Sequence, residues 1–332
     1  MRLKSYKVFM NFELPTHIRP AMEGRILEKY PLNALIKAAE EVSSRYRRED
    51  GRSNFQIKSE VEALSYLASR VPATYAANAR VMAEIRKHCS DFSPKSILDI
   101  GAGPATASLA AGQYFETIET SRLIEPNVYL SKAGQEFFAP YLQGAEWQTK
   151  NIESVSFDKS FDIVIASYVL NEVAKNKIHG LIEKCWDACS GMMVIIEPGT
   201  PQGASIIQQV REFAVNREIN ILAPCPHAGE CPLKDTSSRW CHFAVRTSRS
   251  KLHKTLKGGD AGFEDEKFSY IVLSRHPSTP PSHRLIGYPS GTKLRELQVC
   301  SPKGAETLQV SKSHPLHKLS KKLEWGDGFD IS

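Results

Sequence analysis

Four cysteines in the last third of the sequence have the neighbours of metal ligands. They are Cys225, Cys231, Cys241 and Cys300. Prolines interrupt the segment and few apolar residues flank it, so these thiols suit a metal better than a packed core. Four thiolates can hold an iron–sulfur cluster or one tetrahedral zinc ion, and His227 or His242 can replace a cysteine around zinc. The gaps of five and nine residues between the first three cysteines leave both metals open.

The other three cysteines are expected to pack in the interior. Cys185 and Cys189 are four residues apart, which predicts a shared face of one helix. Cys89 is likewise predicted to be structural. The odd total of seven cysteines argues against a complete internal disulfide framework and favours a reducing compartment.

A glycine-rich turn supplies the second chemical feature. Asp99-x-Gly101-x-Gly103 follows the short apolar run Ser96–Ile100 and opens a helix-like stretch. Glycine has no Cβ, so the backbone of such a turn can approach a ligand closely. The turn therefore predicts a nucleotide-like ligand at the carboxyl end of a strand.

An acidic residue stands where it would contact the ribose of that ligand. Glu125 lies 22 residues beyond Gly103, at the end of the next candidate strand. Pro104 and Ala105 occupy positions where a dinucleotide fingerprint would continue, which argues against NAD. This order of strand, glycine turn, helix and acidic strand end resembles the class I S-adenosylmethionine-dependent methyltransferases. The resemblance implies an S-adenosylmethionine pocket formed by Asp99, Gly101, Gly103, Glu125 and Ser167.

Catalytic residues are not evident in the segment after the fourth candidate strand. Residues 167–172 read Ser-Tyr-Val-Leu-Asn-Glu, without an Asn-Pro-Pro-aromatic motif or a Pro-Cys nucleophile. Ser167 and Tyr168 are expected to line the pocket. Glu172 can act as a base or cap the following helix. The sequence thus leaves open whether the chain is an enzyme.

Positive charge is concentrated beside the third cysteine. The six basic residues there are Arg239, Arg246, Arg249, Lys251, Lys254 and Lys257, with no acid between the first and the last. This excess equals the formal net charge of the whole chain, +6. Such a cluster can neutralise phosphates, and Trp240, His242 and Phe243 offer stacking surfaces beside it. We predict RNA contact here; a solvated loop is the alternative. Weaker candidates are Arg45, Arg47, Arg48, Lys318, Lys321 and Lys322.

The elements that must position these residues change character along the chain. We predict a helical N-terminal domain over 1–90, broken at 43–54 and again at Pro72, and a core of alternating strands and helices over 91–223. A Cys-rich metal-binding insert without a clear period spans 224–262, and strands completing the core with a basic tail span 263–332. The fold class is α/β: a Rossmann-like, class I methyltransferase-like parallel sheet with these additions.

Composition excludes several other classes. Apolar residues make up 41% of the 332 and charged residues 24%, which is ordinary globular usage. No apolar run reaches the length of a membrane span, so we expect no membrane contact. The N-terminus lacks the apolar core of a secretory signal and the Arg/Ser richness of a transit peptide.

Several motifs together resemble the mitochondrial ribosomal small-subunit methyltransferase-like family and its bacterial relatives. They are Tyr66–Arg80, Asp99–Pro104, Glu197–Gly203, Cys225–Leu233, Trp240–Phe243 and Trp325–Asp327. The resemblance covers about residues 60–327. It implies a factor that binds small-subunit rRNA in ribosome assembly or translation. It also implies a [4Fe–4S] cluster on the four cysteines, so that zinc becomes the alternative.

These expectations combine into one main hypothesis and two others. The main one is an rRNA-binding assembly factor, monomeric off the ribosome, which uses the methyltransferase fold as a scaffold with S-adenosylmethionine. It would be cytoplasmic in a bacterium and would lie in the mitochondrial matrix in a eukaryote. The others are an active S-adenosylmethionine-dependent rRNA methyltransferase and a zinc-stabilised RNA-binding module without catalytic activity.

Overall fold

The N-terminal region of the computed structural model is helical. The model describes residues 12–48, 57–157, 159–234 and 239–331. The first three helices are α1 (Arg19–Lys29), α2 (Leu32–Arg48) and α3 (Glu60–His88). The predicted break from residue 43 is wrong in its first part, because α2 continues through its amphipathic pattern to Arg48. Residues 49–54 of that break lie outside the described residues.

The predicted boundary at Pro72 is also wrong, because α3 passes through it without interruption. Ser59 caps the start of this helix, and basic residues in its last turn complement the helix dipole. Proline removes one hydrogen bond inside a helix. In α3 this loss is offset by packing, since the helix is buried along most of its length.

Strands and helices then alternate as predicted. The elements are β1 (Ser96–Ile100), α4 (Thr106–Tyr114), β2 (Thr120–Ile124), α5 (Val128–Phe138), β3 (Ala145–Gln148), β4 (Phe161–Ser167), α6 (Lys175–Asp187), β5 (Cys189–Pro198), α7 (Pro201–Asn216) and β6 (Asn220–Ala223). One detail differs from the prediction. Cys189 begins β5 instead of continuing the helix of Cys185, and both side chains are buried in the same core.

The segment without a clear period contains regular structure. The remaining elements are β7 (Phe243–Ser248), α8 (Lys251–Lys257), β8 (Phe263–Ser274), β9 (His283–Leu285), β10 (Arg295–Ser301), β11 (Gly304–Val310), α9 (His317–Ser320) and β12 (Gly328–Phe329). Thus β7 and α8 lie where only an irregular insert was expected. Phe243, Val245 and Thr247 alternate toward the core, which is the period-two signal that marks this strand.

The main sheet has the order β3-β2-β1-β4-β5-β8-β6, and β7 also pairs with β8. Neighbouring strands from β3 to β5 are parallel, whereas β8 is antiparallel to β5, β6 and β7. The central strands β1, β4 and β5 are almost wholly buried, as strands covered by helices on both faces must be. This mostly parallel sheet with a reversed strand next to its edge is the class I methyltransferase-like α/β fold.

A second, antiparallel sheet stands apart, with the order β11-β10-β9-β12. It has its own small core around Leu285, Leu297 and Phe329. No helix within the described residues is long and apolar enough to cross a membrane.

Candidate functional site

A cavity of about 850 Å³ opens at the carboxyl ends of the central strands. Its volume is typical of a small-molecule site. All five residues predicted to hold a cofactor line it: Asp99, Gly101, Gly103, Glu125 and Ser167. They lie at or just after the carboxyl ends of β1, β2 and β4, so the parallel sheet brings them to one edge.

Glu125 fastens the glycine turn to the end of β2. Its Oε2 accepts a hydrogen bond from the Gly103 N–H over 2.7 Å, and its Oε1 accepts one from the Asn127 N–H over 2.6 Å. Burial raises the pKa of Glu125 to about 7, against the effect of these two bonds. The carboxylate therefore orders the turn and still presents remaining lone pairs to the cavity.

Asp99 is buried with one oxygen satisfied and one unsatisfied. Oδ2 accepts from the N–H and the hydroxyl of Ser108 over 3.2 and 2.7 Å. Oδ1 has no hydrogen-bond partner in the described part of the chain. Burial raises the pKa of Asp99 to about 7. A buried acceptor without a partner in a cavity wall fits a ligand that donates to it.

Two further polar atoms in this wall lack partners among residues 12–48, 57–157, 159–234 and 239–331. They are Oγ of Ser167 and Oδ1 of Asn78, both buried. Sequence analysis missed Asn78, because it lies on α3 and far from the glycine turn in sequence. Its position in an alanine-rich buried helix is the signal, since a buried amide there needs a partner.

The two glycines of the turn differ in what surrounds them. Gly101 has a φ of +65°, and a Cβ added there would lie 2.3 Å from Cγ2 of Val169. Gly103 has a φ of +55°, and a Cβ there would meet no atom of the described residues within 4 Å. Gly101 is thus required by packing, whereas Gly103 leaves open space on the cavity side.

Tyr168, directly after β4, lines the cavity beside Ser167. Tyr168 has a φ of +60°, and its hydroxyl donates to Oε1 of Glu266 over 3.0 Å. Glu172 lines the cavity. The interpretation of Glu172 as the cap of the next helix is wrong, because α6 begins after Ala174 without a side-chain cap.

All four predicted metal ligands line a second, smaller cavity of about 50 Å³. Cys225 follows β6, Cys241 precedes β7, and Cys300 lies in β10, so both sheets contribute. No group of three His, Cys, Asp or Glu side chains in the described ranges is arranged to hold a single metal ion. Arg211 and Arg284 complete the wall of this cavity. The predicted ligands therefore share a cavity, and a metal site is not shown.

The two histidines differ in their relation to these thiols. His227 Nε2 lies 3.6 Å from Sγ of Cys300. His242 stacks on Trp240 with ring centroids 5.4 Å apart, and its Nδ1 lies 3.1 Å from the Trp240 carbonyl oxygen. Neither histidine is among the described residues that line the cysteine cavity.

The basic stretch is paired with acids that follow it in sequence. Arg246 forms two hydrogen bonds of 2.7 and 2.9 Å to Asp265. Arg249 and Lys257 contact Oε2 of Glu264 over 2.8 and 3.0 Å. The acids lie on β8, directly across from β7, so a run free of acids in sequence is not free of them in space.

The other predicted RNA contacts vary in exposure. Arg239 is exposed and donates to Oε1 of Gln298 over 2.9 Å. Lys251 is exposed and Lys254 is half-buried on α8. Phe243 is wrong as a stacking surface, because it is buried in the core between Phe268 and Tyr270. Arg45, predicted as a weaker RNA contact, forms an ion pair with Glu62 over 2.5 Å.

The strand order, the glycine turn and the acidic end of β2 define a protein with a class I methyltransferase-like fold. Residues 60–330 match the family of the mitochondrial small ribosomal subunit protein Rsm22, and the chain belongs to that family.

Relatives of known name were found in two eukaryotes. The chain is 26% identical over 302 residues to the human ribosome assembly protein METTL17, mitochondrial, with 82% of this chain covered. It is 30% identical over 267 residues to Rsm22-cox11 tandem protein 2, mitochondrial, of Schizosaccharomyces pombe, with 73% of this chain covered. The chain spans 64% of the human relative's length and 36% of the yeast relative's.

Solved structures of similar fold include a putative RNA methyltransferase, PH1948, from Pyrococcus horikoshii. It has a TM-score of 0.41 and 12% identity, with 62% of this chain and 84% of that chain covered. The N-methyltransferase NodS from Bradyrhizobium japonicum has a TM-score of 0.41 and 10% identity, with 64% and 95% covered.

Proposed function

We propose that this chain binds small-subunit rRNA during ribosome assembly, with S-adenosylmethionine in the large cavity and a [4Fe–4S] cluster on the four cysteines. Family membership supports the ribosomal partner, since one relative is a ribosome assembly protein and the family takes its name from the small subunit. The named relatives are mitochondrial. The protein would act in the matrix of a eukaryote or in the cytoplasm of a bacterium, as a monomer when off the ribosome.

The residues of the large cavity fit an adenosyl ligand. Remaining lone pairs of Glu125 would accept from ribose hydroxyls, as a carboxylate at this strand end does. Oδ1 of Asp99 is a buried acceptor without a partner in the described chain, and it would accept from the amino-acid end of the ligand. Gly103 leaves room for close approach of the backbone. When bound, S-adenosylmethionine supplies an activated methyl group.

The convergence of the four cysteines is the observation that carries the cluster assignment. Cys225, Cys241 and Cys300 come from segments up to 75 residues apart, counted from 225 to 300, and line one cavity with Cys231. Four thiolates on one cavity are the ligand set of an iron–sulfur cluster. A tetrahedral zinc ion on the same thiolates is the alternative.

Basic side chains on and beside α8 would supply the RNA contacts. The exposed Lys251 and Arg239 and the half-buried Lys254 would neutralise phosphates. Arg246, Arg249 and Lys257 would support this surface through their ion pairs with Asp265 and Glu264 on β8.

Anaerobic purification with assays of iron, sulfide and zinc tests the cofactor part of this proposal. We expect iron and sulfide in near-equal amounts, and their loss in a variant with all four cysteines changed to serine. A matched variant with Cys185→Ser and Cys189→Ser should keep both. A colourless protein that contains zinc would contradict the cluster and support the zinc module.

Crosslinking in cell extracts tests the partner. Small-subunit rRNA should be recovered with the wild-type protein, and recovery should fall in Lys251→Ala/Lys254→Ala. Recovery of large-subunit rRNA instead would contradict the proposed partner.

A second function, rRNA methylation, is supported by Glu172, which lines the large cavity and is a residue type that can act as a base. Small subunits from a deletion strain would then lack a methyl group that the purified wild-type protein restores. If wild type restores the methyl group and Glu172→Gln does not, the chain is an rRNA methyltransferase and the scaffold proposal is wrong.

A further inference from the structure

Arg211 is a buried cation without an anionic partner in the described residues. Its side chain lies on α7, and the residue is 5% exposed. No ion pair of Arg211 occurs in the described chain. Its Nη2 donates to the carbonyl oxygen of His227 over 3.2 Å and to that of Gly229, while Nε is buried without a hydrogen-bond partner. A buried charge that lacks an opposite charge is strongly destabilising.

Other arginines near this region are compensated. Arg284 is bound to Glu84 over 2.8 Å, and Arg80 to Asp327 over 2.6 Å. The acid beside Arg211 in sequence, Glu212, is bound to Lys234 over 2.7 Å. Arg211 differs from these arginines, because its described partners are two carbonyl oxygens and the side chain of Cys225, one of the four predicted ligands.

The cavity beside Arg211 is where a negative charge would arise. Arg211 and the four cysteines line the same wall. Four thiolates around a [4Fe–4S]²⁺ core leave a net negative charge, and such charge is one of the factors that set a cluster's reduction potential. The carbonyls that Arg211 holds belong to the loop between Cys225 and Cys231, so its guanidinium is fixed next to these ligands.

We infer that Arg211 is the counter-charge of the four-cysteine centre, a positioning residue that compensates the negative charge of the bound cluster and favours its reduced state. This inference rests on the proposed cluster. Among the described residues, Arg211 then has an anionic partner only when the centre is occupied, so cluster binding and the charge of Arg211 stabilise each other.

Three variants of the anaerobically reconstituted full chain separate charge from shape. Arg211→Lys keeps the charge and can still donate to a carbonyl. Arg211→Gln keeps a donor and removes the charge. Arg217→Gln, at an exposed arginine just after α7, is the control. The measurements are iron and sulfide per chain, the midpoint potential from an EPR-monitored titration, and the rate of cluster loss in air.

We expect Arg211→Lys and Arg217→Gln to match wild type. Arg211→Gln should have a more negative midpoint potential and lose its cluster several-fold faster in air. An unchanged potential in Arg211→Gln would overturn the inference. Equal rates of cluster loss in Arg211→Gln and Arg211→Lys would also overturn the inference. They would show that Arg211 acts only through its hydrogen bonds to the loop between Cys225 and Cys231.

The cluster-free proteins provide a second measurement. Without the centre, Arg211 is a buried charge that has no ion pair within the described residues, so cluster-free Arg211→Gln should melt at the wild-type temperature or above it. A lower melting temperature, or failure to fold, would overturn the inference. If wild type itself takes up no iron and sulfide, the cluster proposal fails; if wild type loads and the variants do not differ, only the role of Arg211 fails.

Discussion

The backbone N–H of Gly103 donates a hydrogen bond of 2.7 Å to Oε2 of Glu125. This bond joins the glycine turn after β1 to the acidic end of β2, 22 residues away. The two features that a cofactor pocket needs are therefore mechanically coupled. A ligand that contacts Glu125 also meets a turn whose backbone that carboxylate has already fixed.

Loss of the Glu125 carboxylate should weaken S-adenosylmethionine binding. Glu125→Ala removes acceptors for the ribose and releases the turn, so we expect affinity to fall about tenfold or more, which is at least about 1.4 kcal/mol. Isothermal titration measures it. Glu119→Ala, at the opposite end of β2 and exposed, should bind like wild type. Equal affinity in both variants would remove Glu125 from the site.

Alanine at Gly101 should mainly lower the stability of the fold, whereas alanine at Gly103 should mainly weaken ligand binding. Gly101→Ala drives a Cβ to 2.3 Å from Val169 and should destabilise the protein by about 1–3 kcal/mol. Gly103→Ala meets no atom of the described residues, so its cost should be about 1 kcal/mol from the positive φ alone. Urea denaturation gives the two values. Gly103→Ala should nevertheless reduce S-adenosylmethionine affinity, and normal affinity would mean that the ligand does not approach this turn.

The alternating core could be predicted because each strand is a local apolar run. Phe161–Ala166 and Met192–Glu197 needed no information from elsewhere in the chain. The position of β8 between β5 and β6 is different, since its antiparallel insertion depends on pairing with residues 49 to 82 positions away, counted from Ala223–Val272 to Met192–Ser274. The cofactor residues were predictable for the same local reason, whereas Asn78 reaches the cavity from α3 through tertiary packing.

The stability of the ligand-free protein should depend on pH through Asp99. Burial raises its pKa from 3.8 to about 7, so the folded state favours the protonated form. The stability that this gives is complete below the unfolded pKa and is lost as pH rises through about 7. Asp99→Asn should therefore gain stability relative to wild type between pH 4.5 and pH 7.5, by roughly 1 kcal/mol or more. Thermal melts at both pH values test this, and parallel profiles would contradict it.

The buried pair of Glu84 and Arg284 should matter far more than an exposed pair. Burial alone would raise the pKa of Glu84, and the charge of Arg284 overcomes this and holds the pKa well below its usual range. Glu84→Gln leaves a buried cation and should cost about 3–5 kcal/mol. Glu119→Gln breaks an exposed pair with Lys95 and should cost less than about 1 kcal/mol. Urea titrations compare the two.

The same pair gives a pH dependence of opposite sign to that of Asp99. Because the folded pKa of Glu84 is lowered, its contribution is present above the unfolded value of about 4.5 and is lost as pH falls below it. The difference in unfolding free energy between wild type and Glu84→Gln should therefore shrink as the pH falls below about 4.5. A difference that stays constant from pH 7 to pH 3 would contradict the ion pair.

Charge patterns were the least predictable feature, and the reason is geometric. Arg246, Arg249 and Lys257 form an acid-free run in sequence, yet β8 places Asp265 and Glu264 against them. Cross-strand pairing of this kind is invisible to a local count of charges. It divides the basic residues into those held by acids and those that remain exposed.

That division predicts two kinds of variant on the basic surface. Lys251→Ala/Lys254→Ala removes two cations that have no ion pair in the described chain, so it should weaken rRNA binding. The slope of log affinity against log salt should also become shallower, by about 0.7 per lysine for single-stranded RNA. Arg249→Ala should instead lower the melting temperature, because Arg249 binds the partly buried Glu264. Filter binding at several salt concentrations and thermal melts separate the two. The control is Lys37→Ala/Lys132→Ala, at exposed lysines of α2 and α5, which should leave the slope unchanged. An equal change of slope in the control would show that binding depends only on net charge. The α8 helix would then not be the RNA-binding element.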